Sequence, residues 1–266
     1  MQTVVVIGSA AAGGGARPGV LAGQWVQAFS RQVMALQRQA RKPMSADWLA
    51  QALAPLAELV PFSRAWWGQC SAGADEAPPT NWLHGSLHLA LSFGAEWNEV
   101  GQADRFARQS LRHLGQVCRS SGHRSAGDAL ESFSRRHDIF HAMAISMDLP
   151  ASGFRFFVSV YRGEHERAFS ELEATVFGEF CQHLMQLWQQ RVWESLGLSQ
   201  AGEGDQRALC DAQGRLIYLG SAVAQTLARL SLPSGTVEQV AERERLRDRL
   251  AASFAGTADW MRNVGS

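Results

Sequence analysis

Two pairs of histidines have a spacing that could hold a metal ion. His84 and His88 are four residues apart, and so are His137 and His141. On a helix this spacing brings two imidazoles to one face, as in many zinc sites. The pattern around the first pair predicts a strand, however, and the second pair spans a predicted helix end. No cysteine or carboxylate completes either set, so we interpret all four as polar pocket or surface residues and expect no metal.

The N-terminal stretch carries a second candidate chemistry, that of a nucleotide-binding loop. An apolar run at 3–7 is followed by Gly8 and by the glycines at 13–15. A buried strand followed by glycines is how dinucleotide and phosphate loops begin. Here the glycines do not fit GxGxxG, and no Gly-Lys-Ser/Thr follows. We therefore expect a flexible N-terminus at 1–19 and no cofactor, with a small nucleotide-linked enzyme built on this stretch as the alternative.

Nucleophilic catalysis has no recognisable motif in this sequence. Gly-x-Ser-x-Gly is absent, and the Ser, His and Asp residues share no setting that would join a nucleophile to a base and an orienting acid. The four cysteines are far apart and form no CxxC pair, which indicates reduced, mostly buried thiols in a cytoplasmic protein. We expect that the protein is not an enzyme.

Composition excludes two further classes. The 25 Lys and Arg residues balance the 25 Asp and Glu residues, so the chain lacks the basic excess of a dedicated nucleic-acid binder. No apolar run reaches the roughly 18 residues of a membrane span, so we expect no membrane partner. With 266 residues, 46% of them hydrophobic, the chain can build one large core or two small ones.

The element that the sequence defines best is a strand followed by a long helix. Residues 154–161 alternate in the manner of a strand buried on one face and half-buried on the other. Ser170 and Glu173 form a predicted capping box at the start of a helix over 170–196. Behind it, an apolar stripe recurs every four residues: Leu172, Val176, Phe180, Leu184, Trp188 and Val192.

The remaining pattern predicts helices and strands that surround this unit. Predicted helices cover 20–39, 45–59, 95–116 and 127–136, and predicted strands cover 63–70, 81–91 and 141–149. On the strand 81–91, Trp82, His84, Ser86 and His88 would share one face. Beyond a glycine-rich linker, the sequence predicts a hairpin at 208–219 with its turn at 211–214, a helix at 221–230 and a charged helix at 237–254.

Several short segments, taken with this element order, resemble the N-terminal sensor region of LuxR-type transcription regulators. The order itself is that of a GAF-like sensor domain. In those regulators a strand ending in Tyr-Arg precedes a helix that starts Phe-Ser-Glu-x-Glu and contains Pro-His-Leu, where this chain has Gln182 in place of the proline. The matching segments are 63–68 (SRAWWG), 133–141 (FSRRHDIFH), 157–162 (FVSVYR), 169–173 (FSELE) and 182–184 (QHL).

The resemblance covers about residues 20–230 and implies an α+β fold. An antiparallel GAF/PAS-like sheet would be flanked by helices and followed by a partial PAS-like segment, which the Asp211–Gly214 hairpin and the next helix resemble. The expected domains are a flexible stretch at 1–19, a GAF-like sensor domain at 20–196, a linker at 197–205 and the partial PAS-like segment at 206–266. Such regulators read DNA through a helix-turn-helix, and nothing in 237–266 matches one. We therefore expect DNA binding only if a helix-turn-helix exists outside this sequence.

The resemblance implies a regulatory sensor of small molecules or partners that acts through the geometry of a homodimer. In a GAF-like fold one sheet face packs on the terminal helices, and the other faces a cavity roofed by the segments between the strands. A second apolar line on the long helix 170–196, formed by Phe177, Cys181 and Met185, is the expected contact with a partner copy. A ligand-free dimerisation or interaction module is the alternative. The expected cavity lining is Trp67, Trp82, His84, His88, Trp97, Phe157 and Tyr161.

Overall fold

A computed structural model describes residues 5–7, 20–71, 79–122, 128–199 and 203–231. Its helices are α1 (Val20–Ala40), α2 (Trp48–Leu59), α3 (Phe93–Val100), α4 (Arg105–Arg112), α5 (Asp128–Arg136), α6 (Glu171–Leu196) and α7 (Ser221–Ser231). Its strands are β1 (Val5–Ile7), β2 (Arg64–Ser71), β3 (Thr80–Leu87), β4 (Val117–Ser121), β5 (His141–Leu149), β6 (Phe154–Arg162), β7 (Ala208–Cys210) and β8 (Leu216–Leu219). The predicted α+β class is confirmed.

The main sheet has six strands in the order β1-β4-β5-β6-β2-β3, and every pairing described in it is antiparallel. Short β1 forms one edge, where Val5–Ile7 pairs with the residues 117–119 of β4. Part of the N-terminal stretch that the sequence assigned to a flexible segment is thus a sheet strand. The glycines at 8 and 13–15 lie outside the described residues. An antiparallel edge strand is not the parallel βαβ setting that a dinucleotide loop needs.

Helices cover both faces of this sheet, and the central strand β6 shows why the sequence alternates as it does. Phe156, Val158 and Val160 face the core formed with α1, α2 and α6. Phe157 and Tyr161 face a second core on the side of α3, α4 and α5. The sequence predicted a half-buried second face, but both faces of β6 are buried because each carries its own helix layer.

The connection between β6 and α6 shows the structural role of the Tyr-Arg and Phe-Ser-Glu-x-Glu motifs. The predicted capping box is present: the Ser170 hydroxyl accepts from the Glu173 N–H at 3.2 Å, and the Glu173 carboxylate accepts from the Ser170 N–H at 2.8 Å. Arg162 Nη2 donates to Glu173 Oε1 at 2.7 Å, and its guanidinium lies 4.1 Å from the centre of the Phe169 ring. Arg162 also donates to the Pro61 carbonyl. This Arg162–Glu173 pair therefore ties a strand end, a helix start and the loop before β2 together.

The predicted dimer line on α6 is buried inside the chain. Phe177, Cys181 and Met185 are at most 3% exposed and belong to the same core as the main stripe. Helices α1 and α2 pack onto α6 and cover this second line, so it is not available to a partner helix. Of the predicted main stripe, Leu172 is the exception, since it is 50% exposed. The homodimer stays a prediction, but these three residues cannot form its interface because they are buried within one chain.

The strand β3 carries an irregularity that the sequence pattern did not predict. Leu83 pairs with Gln69 and Asn81 pairs with Cys70, so Trp82 is the extra residue of a β-bulge. The bulge breaks the alternation, and Trp82 stacks on Phe154 instead of sharing a face with His84. The predicted common face of Trp82, His84 and His88 is therefore wrong. Strand β3 also ends at Leu87, which leaves His88 outside it with a φ of 55°.

The segment 95–116, predicted as one amphipathic helix, is divided. Helix α3 ends at Val100, a 3₁₀ turn covers Gly101–Ala103, and α4 begins after Asp104. Asp104 has extended backbone geometry and accepts from the Ala107 N–H at 3.1 Å, which makes it an N-cap in the middle of the predicted helix. Strand β4, which follows α4, was also missed.

The predicted hairpin after the linker is present and packs against the sheet domain. The Gln69 side chain accepts from the Leu219 N–H and donates to the Leu219 carbonyl, both at 2.9 Å, as a neighbouring strand would. Tyr218 belongs to the main core. The charged helix predicted at 237–254 lies outside the described residues. In the part of the chain that is described, no helix combines the length and apolarity needed to cross a membrane.

Candidate ligand-binding cavity

A cavity lies between the sheet and helices α3 and α4. Its floor comes from alternate positions of three adjacent strands: Trp66, Cys70, Ala144, Ser146, Phe157, Ser159 and Tyr161. Its roof comes from α3 and α4: Trp97, Asp104, Phe106, Ala107, Ser110 and Leu111. The space between these atoms totals about 420 Å³, part of which is open to solvent.

The register of the strands explains how separate sequence segments form one floor. Ser159 lies opposite Ala144 on one side and opposite Trp66 on the other, so the three form one row across β5, β6 and β2. Because side chains alternate along a strand, Phe157 and Tyr161 point to the same face as Ser159. The register thus brings Trp66 beside Phe157, with ring centres 4.6 Å apart.

The roof is held in place by Asp104, which is fully buried. One carboxylate oxygen caps α4, and the other accepts from Trp97 Nε1 at 3.3 Å. The same carboxylate therefore fixes the start of α4 and the orientation of the Trp97 indole. A second link between roof and floor is the hydrogen bond between the hydroxyls of Ser110 and Ser146, at 2.8 Å.

One polar group of the cavity lining lacks a partner. Trp66 is 4% exposed, and its Nε1 has no hydrogen-bond partner among the residues that the structure describes. A buried N–H without an acceptor costs about 1–3 kcal/mol, so native structures usually supply one. The indole also sits among Phe93, Trp97 and Phe157, with ring centres 4.6–5.1 Å away. The cavity therefore combines apolar walls with a donor that an occupant could satisfy.

The thiol in the cavity is unsuited to nucleophilic chemistry. Burial raises the pKa of Cys70 to about 12, so the thiol is protonated at neutral pH. Because the thiolate is the reactive form, Cys70 acts as a small apolar wall residue. The one carboxyl residue of the lining, Asp104, is engaged in the two hydrogen bonds described above. The arrangement is suited to binding an uncharged molecule.

Three of the seven residues predicted to line the cavity are brought together there. Trp97 lies in the roof, and Phe157 and Tyr161 lie in the floor. Trp97 and Phe157 contact Trp66 directly through their rings. Their role in binding stays a prediction, since the geometry places them but does not show a ligand.

The other four predicted residues lie elsewhere. Trp67 points to the opposite sheet face and joins the main core, because it neighbours Trp66 along the strand. Trp82 stacks on Phe154 at the bulge. The His84 ring meets the edge of Trp66 at 6.2 Å and accepts from the Asn81 amide at 2.8 Å, while burial lowers its pKa. His88 is exposed at the surface, with Nδ1 3.0 Å from the Ser63 carbonyl.

The histidine pairs do not converge on common sites. His137 Nε2 lies 3.1 Å from a Glu96 oxygen, whereas His141 Nδ1 lies 2.9 Å from the Ser121 hydroxyl. Among the described residues, no three His, Cys, Asp or Glu side chains lie together in a way that could hold a metal ion.

Sequence reasoning missed Trp66, Asp104 and the serines of the cavity. The Trp66-Trp67 doublet was visible, but the side that each indole faces depends on the register with β6. Asp104 carried a usable signal, since an Asp three residues before Ala107 can cap a helix. Ser110 and Ser146 meet only because α4 packs across β5, which no local pattern reveals.

The chain matches no protein-family model and no curated protein. Among solved structures it is similar to the N-acylhomoserine-lactone-dependent LuxR-family transcription factor CepR2 from Burkholderia cenocepacia. The identity is 12%, the match covers 65% of this chain and 99% of that one, and the TM-score is 0.43. It is also similar to SdiA from Escherichia coli, with 14% identity, 64% and 80% coverage and a TM-score of 0.40. For SdiA in complex with octanoyl-rac-glycerol the values are 12%, 79% and 80%, and 0.44. Similarity of this degree decides nothing about the function of this chain, which has to be argued from its own residues.

Proposed function

We propose that this chain is the regulatory sensor region of a LuxR-type transcription regulator, and that it binds a small, uncharged molecule in the cavity beneath α3 and α4. The observation that carries the proposal is Trp66. Its indole is buried in the lining of a mostly apolar cavity, and its N–H has no acceptor among the described residues. A ligand with an apolar body and one carbonyl or hydroxyl acceptor would supply that partner.

Two further features support a GAF-like sensor. One face of the sheet packs against helices that begin and end the domain, α1, α2 and α6. The other face carries the cavity, roofed by the helices between β3 and β4. This is the layering that the sequence resemblance implies. The Tyr-Arg and Phe-Ser-Glu-x-Glu segments that carry the resemblance form one buried cluster at the start of α6.

The mechanism would be a shift between conformations. A ligand can change a conformational equilibrium only by its difference in affinity for the two states. The roof is joined to the floor by the Ser110–Ser146 hydrogen bond and by the contact of Trp97 with Trp66, so a ligand between roof and floor would favour one arrangement of these contacts. Coupling to a homodimer and a cytoplasmic location belong to the same proposal.

The test is a thermal-shift experiment with octanoyl-rac-glycerol and an N-acylhomoserine lactone as probes. A ligand at 100 times its Kd adds about 2.7 kcal/mol to the free energy of unfolding, which raises Tm by several degrees in a protein of this size. The Trp66→Phe variant keeps an aromatic ring, although a smaller one, and removes the donor, so it should bind more weakly by about tenfold or more. Trp97→Phe is a matched control, since the Trp97 N–H already has its acceptor in Asp104.

Two results would contradict the proposal. One is the absence of a shift with either probe in the intact chain, which favours the ligand-free interaction module. The other is an equal shift in the intact chain and in an Ala144→Phe variant. Ala144 is 3% exposed and lies in the middle of the floor, so a phenyl ring there should fill the cavity.

A further inference from the structure

A second cavity lies on the opposite face of the sheet, between the sheet domain and the β7–β8 hairpin. The elements that line it are the start of α2, β2, β3, β6, α6 and β8. The lining residues are Ser45, Ala46, Leu49, Trp67, Gly68, Gln69, Leu83, His84, Gly85, Phe156, Trp188, Leu216 and Ile217. The space between them totals about 450 Å³, including part that is open to solvent. This cavity shares no residue with the first one.

The chemistry of this lining is that of an uncharged site. None of its residues is an Asp, Glu, Lys or Arg. His84 is the one titratable residue among them, and its ring lies against Trp66 and Asn81 on the side of the first cavity. A charged ligand would have to leave water without a counter-ion here, which is costly. An uncharged ligand can enter the cavity without this desolvation cost.

The shape of the site and its hydrogen-bond donors further restrict the class of ligand that fits. A Cβ added to Gly85 would come within 2.7 Å of the Trp67 indole, so the flat ring lies directly across a residue without a side chain. Trp188 is 1% exposed, and its Nε1 has no hydrogen-bond partner among the described residues. The site thus offers aromatic walls and a buried N–H that needs an acceptor.

The contacts around the cavity are those that hold the hairpin on the sheet domain. Gln69 pairs with both backbone groups of Leu219, as described above. An Asp211 carboxylate oxygen accepts from the Ala46 N–H at 3.2 Å, and Arg215 forms an ion pair with Asp47 at 2.8 Å. A molecule in the cavity would therefore touch the sheet domain and the hairpin at once.

From these observations we propose that the second cavity binds a small, flat, uncharged molecule through aromatic contact with Trp67 and a hydrogen bond from Trp188 Nε1. Bound there, the molecule holds the hairpin against the sheet domain. This site is independent of the cavity beneath α3 and α4, and it does not depend on the function proposed above.

The test uses acetophenone as the probe, because it has one aromatic ring and one carbonyl acceptor. In ¹H–¹⁵N spectra of the whole chain, the indole N–H signal of Trp188 is identified by its absence in Trp188→Phe. We expect this signal to move downfield and to saturate as acetophenone is added. We also expect slower hydrogen exchange of the β7 and β8 amides in the presence of the probe. Benzoate, the charged analogue, should produce neither effect.

Two variants keep the test decisive. Trp66→Phe replaces a residue that lines the first cavity and not the second, and the Trp188 shift should persist in it. Ser45→Trp places a bulky ring at a half-buried position of the lining and should abolish the shift without removing the donor. A Trp188 signal that stays in place up to millimolar probe overturns the proposal. So does a shift that survives Ser45→Trp, or one that disappears in Trp66→Phe.

Discussion

The buried Arg162–Glu173 pair leads to a prediction whose size can be worked out. Both side chains are at most 4% exposed, and Glu173 accepts from Arg162, Arg167 and Ser170. Burial by itself raises the pKa of Glu173, but the hydrogen bonds from Arg162 and Ser170 outweigh it and lower the pKa from its ordinary 4.5 to about 2. Such a depression is worth about 3 kcal/mol of folding free energy at neutral pH.

The perturbation is Glu173→Gln. The glutamine oxygen can still accept from the Ser170 N–H, so the capping box survives while the charge is lost. At pH 7 we expect the variant to unfold with about 3 kcal/mol less free energy, within the range found when a buried ion pair loses one partner. Glu131→Gln is the control, because its ion pair with Arg135 is largely exposed and should change stability by less than about 0.5 kcal/mol.

The pH dependence gives the sign of the effect. A carboxyl with a depressed pKa stabilises the fold fully above its unfolded value of 4.5, and this contribution is lost as the pH falls toward its folded value of about 2. Urea unfolding of both proteins should therefore show a gap that narrows from about 3 kcal/mol at pH 7 to about 1 kcal/mol at pH 3. A gap that stays constant across this range, or one below about 0.5 kcal/mol at pH 7, would refute the assigned role of the pair.

Three other predictions follow from the described contacts. Asp104→Ala removes the cap of α4 and the acceptor of Trp97, and should lower the free energy of unfolding by about 2 kcal/mol in urea titrations. Asp104→Asn keeps an acceptor and should recover part of this loss. A loss below about 0.5 kcal/mol in Asp104→Ala, as expected for an exposed site, would argue against this structural role of Asp104. Gln69→Leu leaves both backbone groups of Leu219 unpaired and should speed hydrogen exchange in β8 by about tenfold while β5 is unchanged; equal exchange in both strands would contradict the docking contact. Cys70 should resist a thiol reagent at pH 8 in the folded state because its pKa is about 12, and rapid labelling there would show that the cavity wall opens.

The sequence predicted the elements whose signals are local. The sequence of β6 and α6 combines an alternating pattern, a capping box and a four-residue repeat, and the strand, the capping box and the buried repeat from Val176 onward are present. The 208–219 hairpin was also predicted, because its turn residues determine its geometry without help from the rest of the chain.

The features that failed depend on tertiary contacts. The bulge at Trp82 is visible only in the pairing of β3 with β2, and it moves one indole to the other face. The break at Asp104 competes with a continuous helical pattern, and packing of α4 over β5 decides between them. The second apolar line of α6 was assigned to a partner because the sequence cannot show that α1 and α2 cover it. Which side chains reach the cavity also depends on tertiary contacts, and three of the seven expected residues line it while four do not.

The most direct measurement is a crystal structure of the chain grown with the probe that raises its Tm most in the thermal-shift experiment. We expect ligand density between the sheet and α4, with a ligand oxygen about 3 Å from Trp66 Nε1. A structure in which side chains fill this space, and in which Trp66 Nε1 donates to a protein group, would contradict it.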